Sequence, residues 1–270
     1  MPSSYTSQQK TAISEFTGVT QADKSSAAKL LKQFHWNVPS AVNAYFNNPT
    51  SSNAAPNRKA LNAIFDTYRD DPRNEPDQIN VEGSGNLLGA IDIPLDDVGA
   101  LVLFEIVRST SLGVITREGF LEGLGQANAD SLPKIKTLVL QHRSALPTDP
   151  TIFKNVYVQT FILALTPNAK TVPLETAIEF WRMMFVSPSF AWRTPSSPWL
   201  DWWLEFLEEK KTKAVNRDLW KQTLNFANET MKDESLGFWN EESSWPSVID
   251  EFVGWVKEEK RSGADAMQVE

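Results

Sequence analysis

Apolar residues recur along this chain at intervals of three and four, and no stretch shows the convincing period-two alternation of a half-buried strand. That periodicity restricts the fold to the all-α class, because each apolar stripe can be buried only if its helix packs on other helices. Leu61, Ile64, Phe65 and Tyr68 fall at i, i+3, i+4 and i+7, and Val38, Val42, Tyr45 and Phe46 at i, i+4, i+7 and i+8. With 270 residues, 41% of them hydrophobic, a sizeable core can form.

The stripes divide into two blocks. Residues 1–49 carry three short helices: Ile13 and Phe16 mark the inner face of the first, and a turn is expected at Thr17-Gly18-Val19-Thr20. Thr20 and Asp23 have the spacing of a capping box for the second, which carries Ala27, Leu30, Leu31 and Phe34. The third starts near Asn37, with Pro39 in its first turn. The segment from Asn47 to Asn57 has no large apolar residue, so a linker is placed at 50–57. A larger helical array spans 58–261, and 262–270 reads as a disordered tail. Within the array, a capping residue and proline announce helices at Asp149-Pro150, Ser197-Pro198 and Trp245-Pro246, and Pro173 opens another.

Several function classes are excluded. The chain has no cysteine, so it offers neither a disulfide framework nor a thiolate that could carry a thioester. Its two histidines, His35 and His142, sit in different blocks and cannot build a structural zinc site. The net charge of −8 disfavours nucleic acid and mildly favours basic protein partners. No apolar run approaches the length of a membrane span, and the first residues lack a signal core, so the chain reads as soluble and intracellular. There is no phosphate-binding glycine loop and no nucleophile elbow, and Glu208-Glu209 and Glu241-Glu242 are most simply solvated.

Three constellations admit more than one reading. Asp71–Glu82 has the length of a calcium loop, with Asp71, Glu75 and Glu82 at ligand positions 1, 5 and 12. Arg73 at position 3 and Pro76 at position 6 oppose metal binding, and a metal-free helix-loop-helix relic fits better, with Leu112–Glu118 as its mate. Nine of the ten tryptophans lie beyond residue 180; core packing accounts for most, but Trp202 and Trp203 are neighbours and cannot share a helix face. Asp218 near a helix start and Asp250 in the last helix are, on spacing alone, a dipole partner and a solvated residue.

Phe16-Thr17-Gly18-Val19 and the run from Trp36 through Asn37-Val38-Pro39 to Tyr45-Phe46 resemble a ubiquitin-associated (UBA) domain. The second block resembles the potentiating-neddylation domain of the defective-in-cullin-neddylation family. The resemblance lies in Leu103-Phe104-Glu105-Ile106-Val107, Ile115–Gly123, Phe153–Tyr157, Ala177–Trp181 and Trp245–Val253, and the first two stretches are similar to the fungal branch. The resemblance implies a three-helix UBA bundle followed by a helical array with degenerate EF-hand-like units. It also implies a non-catalytic scaffold, without cofactor, metal or membrane attachment, in the cytoplasm and nucleus.

By the same resemblance, Asp218, Ser244 and Asp250 would grip the C-terminal region of a cullin, Ser244 standing where the family has alanine. Leu103, Val107, Ile115, Leu163, Phe180 and Met183 would form an apolar pocket for the N-terminal methionine of the neddylation conjugating enzyme. Phe16, Gly18 and Val19 would contact ubiquitin or a related modifier. The rival readings are a ubiquitin-binding adaptor without a role in transfer and a calcium-responsive helical module.

Overall fold

The structure is a computed structural model that describes residues 5–20, 24–47, 54–240 and 242–261, without the side chains of 25, 26, 43, 46, 47 and 54–56. Asp23, Glu241, linker residues 50–53, the tail from Ser262 and the side chain of Phe46 therefore lie outside the described residues. Thirteen α-helices and four strands of two or three residues make up the described chain. No described helix is long and apolar enough to cross a membrane.

In the first block, α1 (Ser7–Thr20), α2 (Lys24–Gln33) and α3 (Val38–Asn47) enclose a small core of Ile13, Phe16, Ala27, Leu31 and Ala41. Phe16 meets Tyr45 edge-to-face at 5.5 Å. The expected turn at Thr17–Thr20 is instead the last turn of α1, where the Thr20 hydroxyl donates to the Phe16 carbonyl at 2.7 Å. Asn37 caps α3 by accepting from the Ser40 amide at 2.9 Å.

The second block begins earlier than its sequence suggests, because α4 (Ala54–Tyr68) starts inside the span read as linker. Two helix-loop-helix units follow. In the first, α4 leads through β1 (Gln78–Ile79) into α5 (Val81–Ala90), and in the second α6 (Val98–Ile106) leads through β2 (Ile115–Thr116) into α7 (Arg117–Gln126). β1 and β2 pair antiparallel, Ile79 opposite Ile115, both fully buried. Glycine permits the close packing of α7 on the end of α6: a Cβ on Gly123 would lie 1.9 Å from the Ile106 carbonyl oxygen.

The Asp71–Glu82 loop is closed by its own groups. Asp71 accepts from the Arg73 and Asn74 amides, while Asp70 accepts from the Asn80 and Gly83 amides at the start of α5. Arg117 spans the loop as a cation. It donates to Asp77, Asn62, Asp66 and the Pro76 carbonyl at 2.6–2.8 Å, with its guanidinium 4.4 Å from the Phe65 ring centroid.

A second pair of units repeats this plan. After α8 (Leu132–Ala145), α9 (Pro150–Ala164) runs through β3 (Thr171–Pro173) into α10 (Leu174–Met184). Then α11 (Trp199–Glu209) runs through β4 (Ala214–Asn216) into α12 (Arg217–Lys232). β3 and β4 pair with Val172 opposite Val215, both fully buried. The last helix, α13 (Ser247–Trp255), continues as a π-helical turn, Val256–Arg261. The proline starts behave differently from one another: Asp149 caps α9 through the Thr151 and Ile152 amides, whereas Pro173, Pro198 and Pro246 themselves occupy the capping position, without a side-chain bond.

The tryptophans fill the centre of this half. Trp181, Trp192, Trp199, Trp203 and Trp220 are buried, while Trp202 reaches the surface, as its adjacency to Trp203 requires. Trp220 stacks between Tyr157 and Trp181, at 4.7 and 5.2 Å. Tyr157 donates its hydroxyl to the Trp220 carbonyl and accepts from Trp181 Nε1, and Trp220 Nε1 donates to the Tyr157 carbonyl, so α9, α10 and α12 are bonded through one aromatic stack.

Candidate functional site: an acidic strip and an apolar concavity

Asp218 stands in the first turn of α12, exposed to solvent. The helix starts there because Asn216 accepts from the Leu219 amide at 2.8 Å while Val215 is anchored in the β3–β4 pair. Gln222, Asn225 and Glu229 follow Asp218 on the same stripe of α12, at i+4, i+7 and i+11. Asn225 and Glu229 line a cavity of about 720 Å³ with Pro150, Asn228, Lys232, Phe238 and Trp245, and the Lys232 ammonium pairs with Glu229 at 2.8 Å. Trp245 forms the aromatic wall, edge-to-face on Phe226 at 5.7 Å and on Phe238 at 6.2 Å.

Ser244 is exposed immediately before Trp245. The turn leading to it is held locally, by Asn240 accepting from the Glu242 amide and Ser243 accepting from the Asn240 amide. Asp250, half-buried in the first turn of α13, accepts from Trp239 Nε1 at 2.9 Å. Ser244 thus adjoins the wall of the cavity. Asp218 lies on the stripe that lines it, roughly 10 Å along the α12 axis from Asn225 at the helical rise per residue.

A polar groove of about 540 Å³ shares Asn225 with this cavity and is lined by Glu105, Lys154, Gln159 and Lys221. Burial raises the affinity of the Glu105 carboxyl for its proton, an effect that the charges of His142 and Arg108 partly offset.

Against the C-terminal end of α9 and against α10 lies an open concavity of about 750 Å³, with Leu112, Leu163, Leu165, Pro167, Ile178 and Phe180 as its apolar lining. Glu175, Glu179, Arg182 and Glu208 stand around it. The loop before β2 supplies Leu112, α11 supplies Glu208, and α9, α10 and the connection between them supply the rest, so the concavity sits between the two halves of the second block.

Residues 134–255, from α8 to the end of α13, match a family model described as cullin binding, and residues 10–52 match that of a UBA-like domain. Over 98% of this chain, and 99% of the relative, the sequence is 34% identical to defective in cullin neddylation protein 1 of Pyricularia oryzae. The protein of the same name from Cryptococcus neoformans is 32% identical, across 92% of this chain and 94% of its own. The chain belongs to the defective-in-cullin-neddylation family. The Eremothecium gossypii member is 31% identical over 92% of the chain and 96% of its own length.

Within this family frame, Asp218, Ser244 and Asp250 all fall in the span that matches the cullin-binding model. Of the six residues expected to form the methionine pocket, only Leu163 and Phe180 line the concavity. Leu103, Val107 and Ile115 are fully buried because α6 and β2 lie at the middle of the core, and Met183 is half-buried on α10. Sequence reasoning passed over Leu112, Leu165, Pro167 and Ile178, which belong to two loops, the end of α9 and the middle of α10 and are brought together only by the tertiary fold. In the UBA-like block, Phe16 has no exposed surface and packs in the core, whereas Gly18 and Val19 are exposed, Val19 at 57%. Among the described residues, no three His, Asp or Glu side chains are grouped to hold a metal ion.

Proposed function

We propose that this protein is an accessory factor of cullin neddylation that acts as a two-site scaffold. In this reading Asp218, Ser244 and Asp250 receive basic and hydrogen-bonding groups of a cullin's C-terminal region. The apolar concavity takes the N-terminal methionine of the conjugating enzyme, Leu163 and Phe180 belonging to its wall and Leu103, Val107, Ile115 and Met183 to the layer that shapes it. An acetylated N-terminus suits such a site, because losing the terminal charge lowers the desolvation cost of burial.

The reading is supported by two candidate surfaces on the second block, a cavity beside α12 walled by Trp245 and an apolar concavity lined by Leu163 and Phe180, in a chain similar over 98% of its length to a member of this family. The chain contributes proximity and orientation and has no covalent step of its own: the modifier's thioester stays on the conjugating enzyme and is held near the acceptor lysine. Residues 1–49 and the array from the start of α4 to residue 261 act as separate domains, the first presenting Gly18 and Val19 to ubiquitin or a related modifier, and the protein works where cullins are modified, in cytosol and nucleus.

The test is a reconstituted transfer reaction with purified cullin, conjugating enzyme and modifier. Adding the wild-type chain accelerates transfer, and Asp218→Ala combined with Asp250→Ala abolishes cullin binding and the acceleration while helicity is kept. Undiminished binding by the double variant rejects the strip, and a transfer rate unchanged by the wild-type chain rejects the scaffold.

A further inference from the structure

Asp250 belongs to α13, but its carboxylate is held from outside that helix. Trp239, in the connection between α12 and α13, donates its indole Nε1–H to Oδ1 at 2.9 Å. That leaves Oδ2 as the oxygen without an indole donor. The Trp239 ring is itself covered, since the Lys257 ammonium stands 4.3 Å from the ring centroid. Lys257 is two turns beyond Asp250 on the same face, at i+7, in the π-helical turn that ends the described chain.

This arrangement differs from those of the other indoles. Trp181, Trp192 and Trp220 spend their N–H groups on buried structural acceptors, and Trp255 bonds Glu209 on α11. Trp239 alone among these bonds a carboxylate of the acidic strip. It is half-buried, so its bond to Asp250 lies near solvent and contributes little to the core. Its consequence falls on Asp250: an aspartate held by a ring that is fixed in turn by a cation loses less rotamer freedom when a partner arrives.

We propose that Trp239 is a positioning residue of the cullin-binding surface, orienting the Asp250 carboxylate through its indole N–H, with Lys257 clamping the ring. The proposal rests on the reading of Asp250 as a cullin-binding carboxylate, and the test separates the two.

The affinity of a cullin C-terminal region for the full chain is measured by calorimetry for wild type, Trp239→Phe, Asp250→Ala and the double variant, at two salt concentrations. Phenylalanine keeps an aromatic ring under Lys257 and removes the donor together with part of the indole surface. Trp239→Phe weakens binding about 5–10-fold, less than the loss of a direct hydrogen bond to a charged acceptor, because Trp239 acts only through the orientation of Asp250. Its salt dependence stays that of wild type, because the charge at Asp250 remains, whereas Asp250→Ala flattens the salt dependence. In the Asp250→Ala background, Trp239→Phe has no further effect. Lys257→Met weakens binding about 2–3-fold by loosening the ring.

Wild-type affinity for Trp239→Phe overturns the proposal. So does a loss that persists undiminished in the Asp250→Ala background, since Trp239 would then be a direct contact. A melting temperature lowered in proportion to the affinity assigns Trp239 to the fold instead. Wild-type affinity for Asp250→Ala rejects the underlying strip as well, a distinct outcome.

Discussion

Removal of a single oxygen atom, in Tyr157→Phe, tests the account of the aromatic stack. The hydroxyl is completely buried, and burial pushes its titration well above the ordinary tyrosine range, with the Trp181 N–H opposing that shift. Phenylalanine preserves the ring that stacks on Trp220 at 4.7 Å, so the apolar contact area is nearly unchanged. Two hydrogen bonds are lost. Trp181 Nε1, 2.9 Å from the hydroxyl, becomes a donor without a partner in a residue with no exposed surface, at a cost of about 1–3 kcal/mol. The Trp220 carbonyl loses its O–H donor, costing about 0.5–1.5 kcal/mol more.

The expected destabilisation is therefore about 2–4 kcal/mol, or roughly 5–15 °C in melting temperature for a domain of this size. Nine of the ten tryptophans lie beyond residue 180, so urea unfolding followed by intrinsic fluorescence reports this half of the chain. The midpoint should fall while the slope stays constant. The double variant Tyr157→Phe with Trp181→Phe removes donor and acceptor together, and should lose at least about 1 kcal/mol less than the sum of the single variants. A single-variant loss under about 0.5 kcal/mol, or strict additivity, would refute the hydrogen-bond argument.

The loop pair supplies another prediction. Arg117→Ala removes the cation that Asp66, Asp77, Asn62 and the Pro76 carbonyl share; because both aspartates are substantially exposed, screening limits the loss to about 1–2 kcal/mol, read as a lowered denaturation midpoint. Calorimetric titration of wild type with calcium should give no binding heat, since Arg117 already supplies positive charge to this loop. The Asp97–Arg143 pair predicts a pH dependence. Two hydrogen bonds of 2.7 Å from the Arg143 guanidinium hold the Asp97 carboxyl below its ordinary range, helped by the Gly99 amide. A carboxyl lowered in the folded state stabilises it above the unfolded value, about 3.9, and that stability is lost as pH falls through the folded value. Asp97→Asn should therefore be less stable than wild type at pH 7, with the gap narrowing in strongly acidic buffer; a gap of constant size would contradict the assignment.

Helix existence was legible because a stripe such as Phe153, Val156, Tyr157, Thr160 and Phe161 can be buried on only one face, and all five residues are buried on α9. The helix-loop-helix unit around Asp71–Glu82 was legible too, and its mate was rightly sought near Leu112–Glu118. The second pair was missed, yet a local signature existed. Ile79-Asn80-Val81-Glu82, Ile115-Thr116-Arg117-Glu118, Val172-Pro173-Leu174-Glu175 and Val215-Asn216-Arg217-Asp218 each place a β-branched strand residue before a helix start and an acid in its first turn. Strands of two or three residues are too short to show a period of two, so the pattern reads as four helix starts and hides the pairing.

The sequence by itself determined the helices, the absence of a thiol nucleophile and the kinship of the whole chain, because periodicity and composition are local or summed properties. Only tertiary structure decided which residues are surface. Phe16, Leu103, Val107 and Ile115 stand in motifs and are buried, whereas Leu112, Leu165 and Pro167 come together in the wall of the concavity where loops from two halves meet. Exposure depends on what packs against a side chain from far along the chain, as Trp239 on Asp250 and Trp245 on Phe226 show, and spacing along one helix carries no record of that.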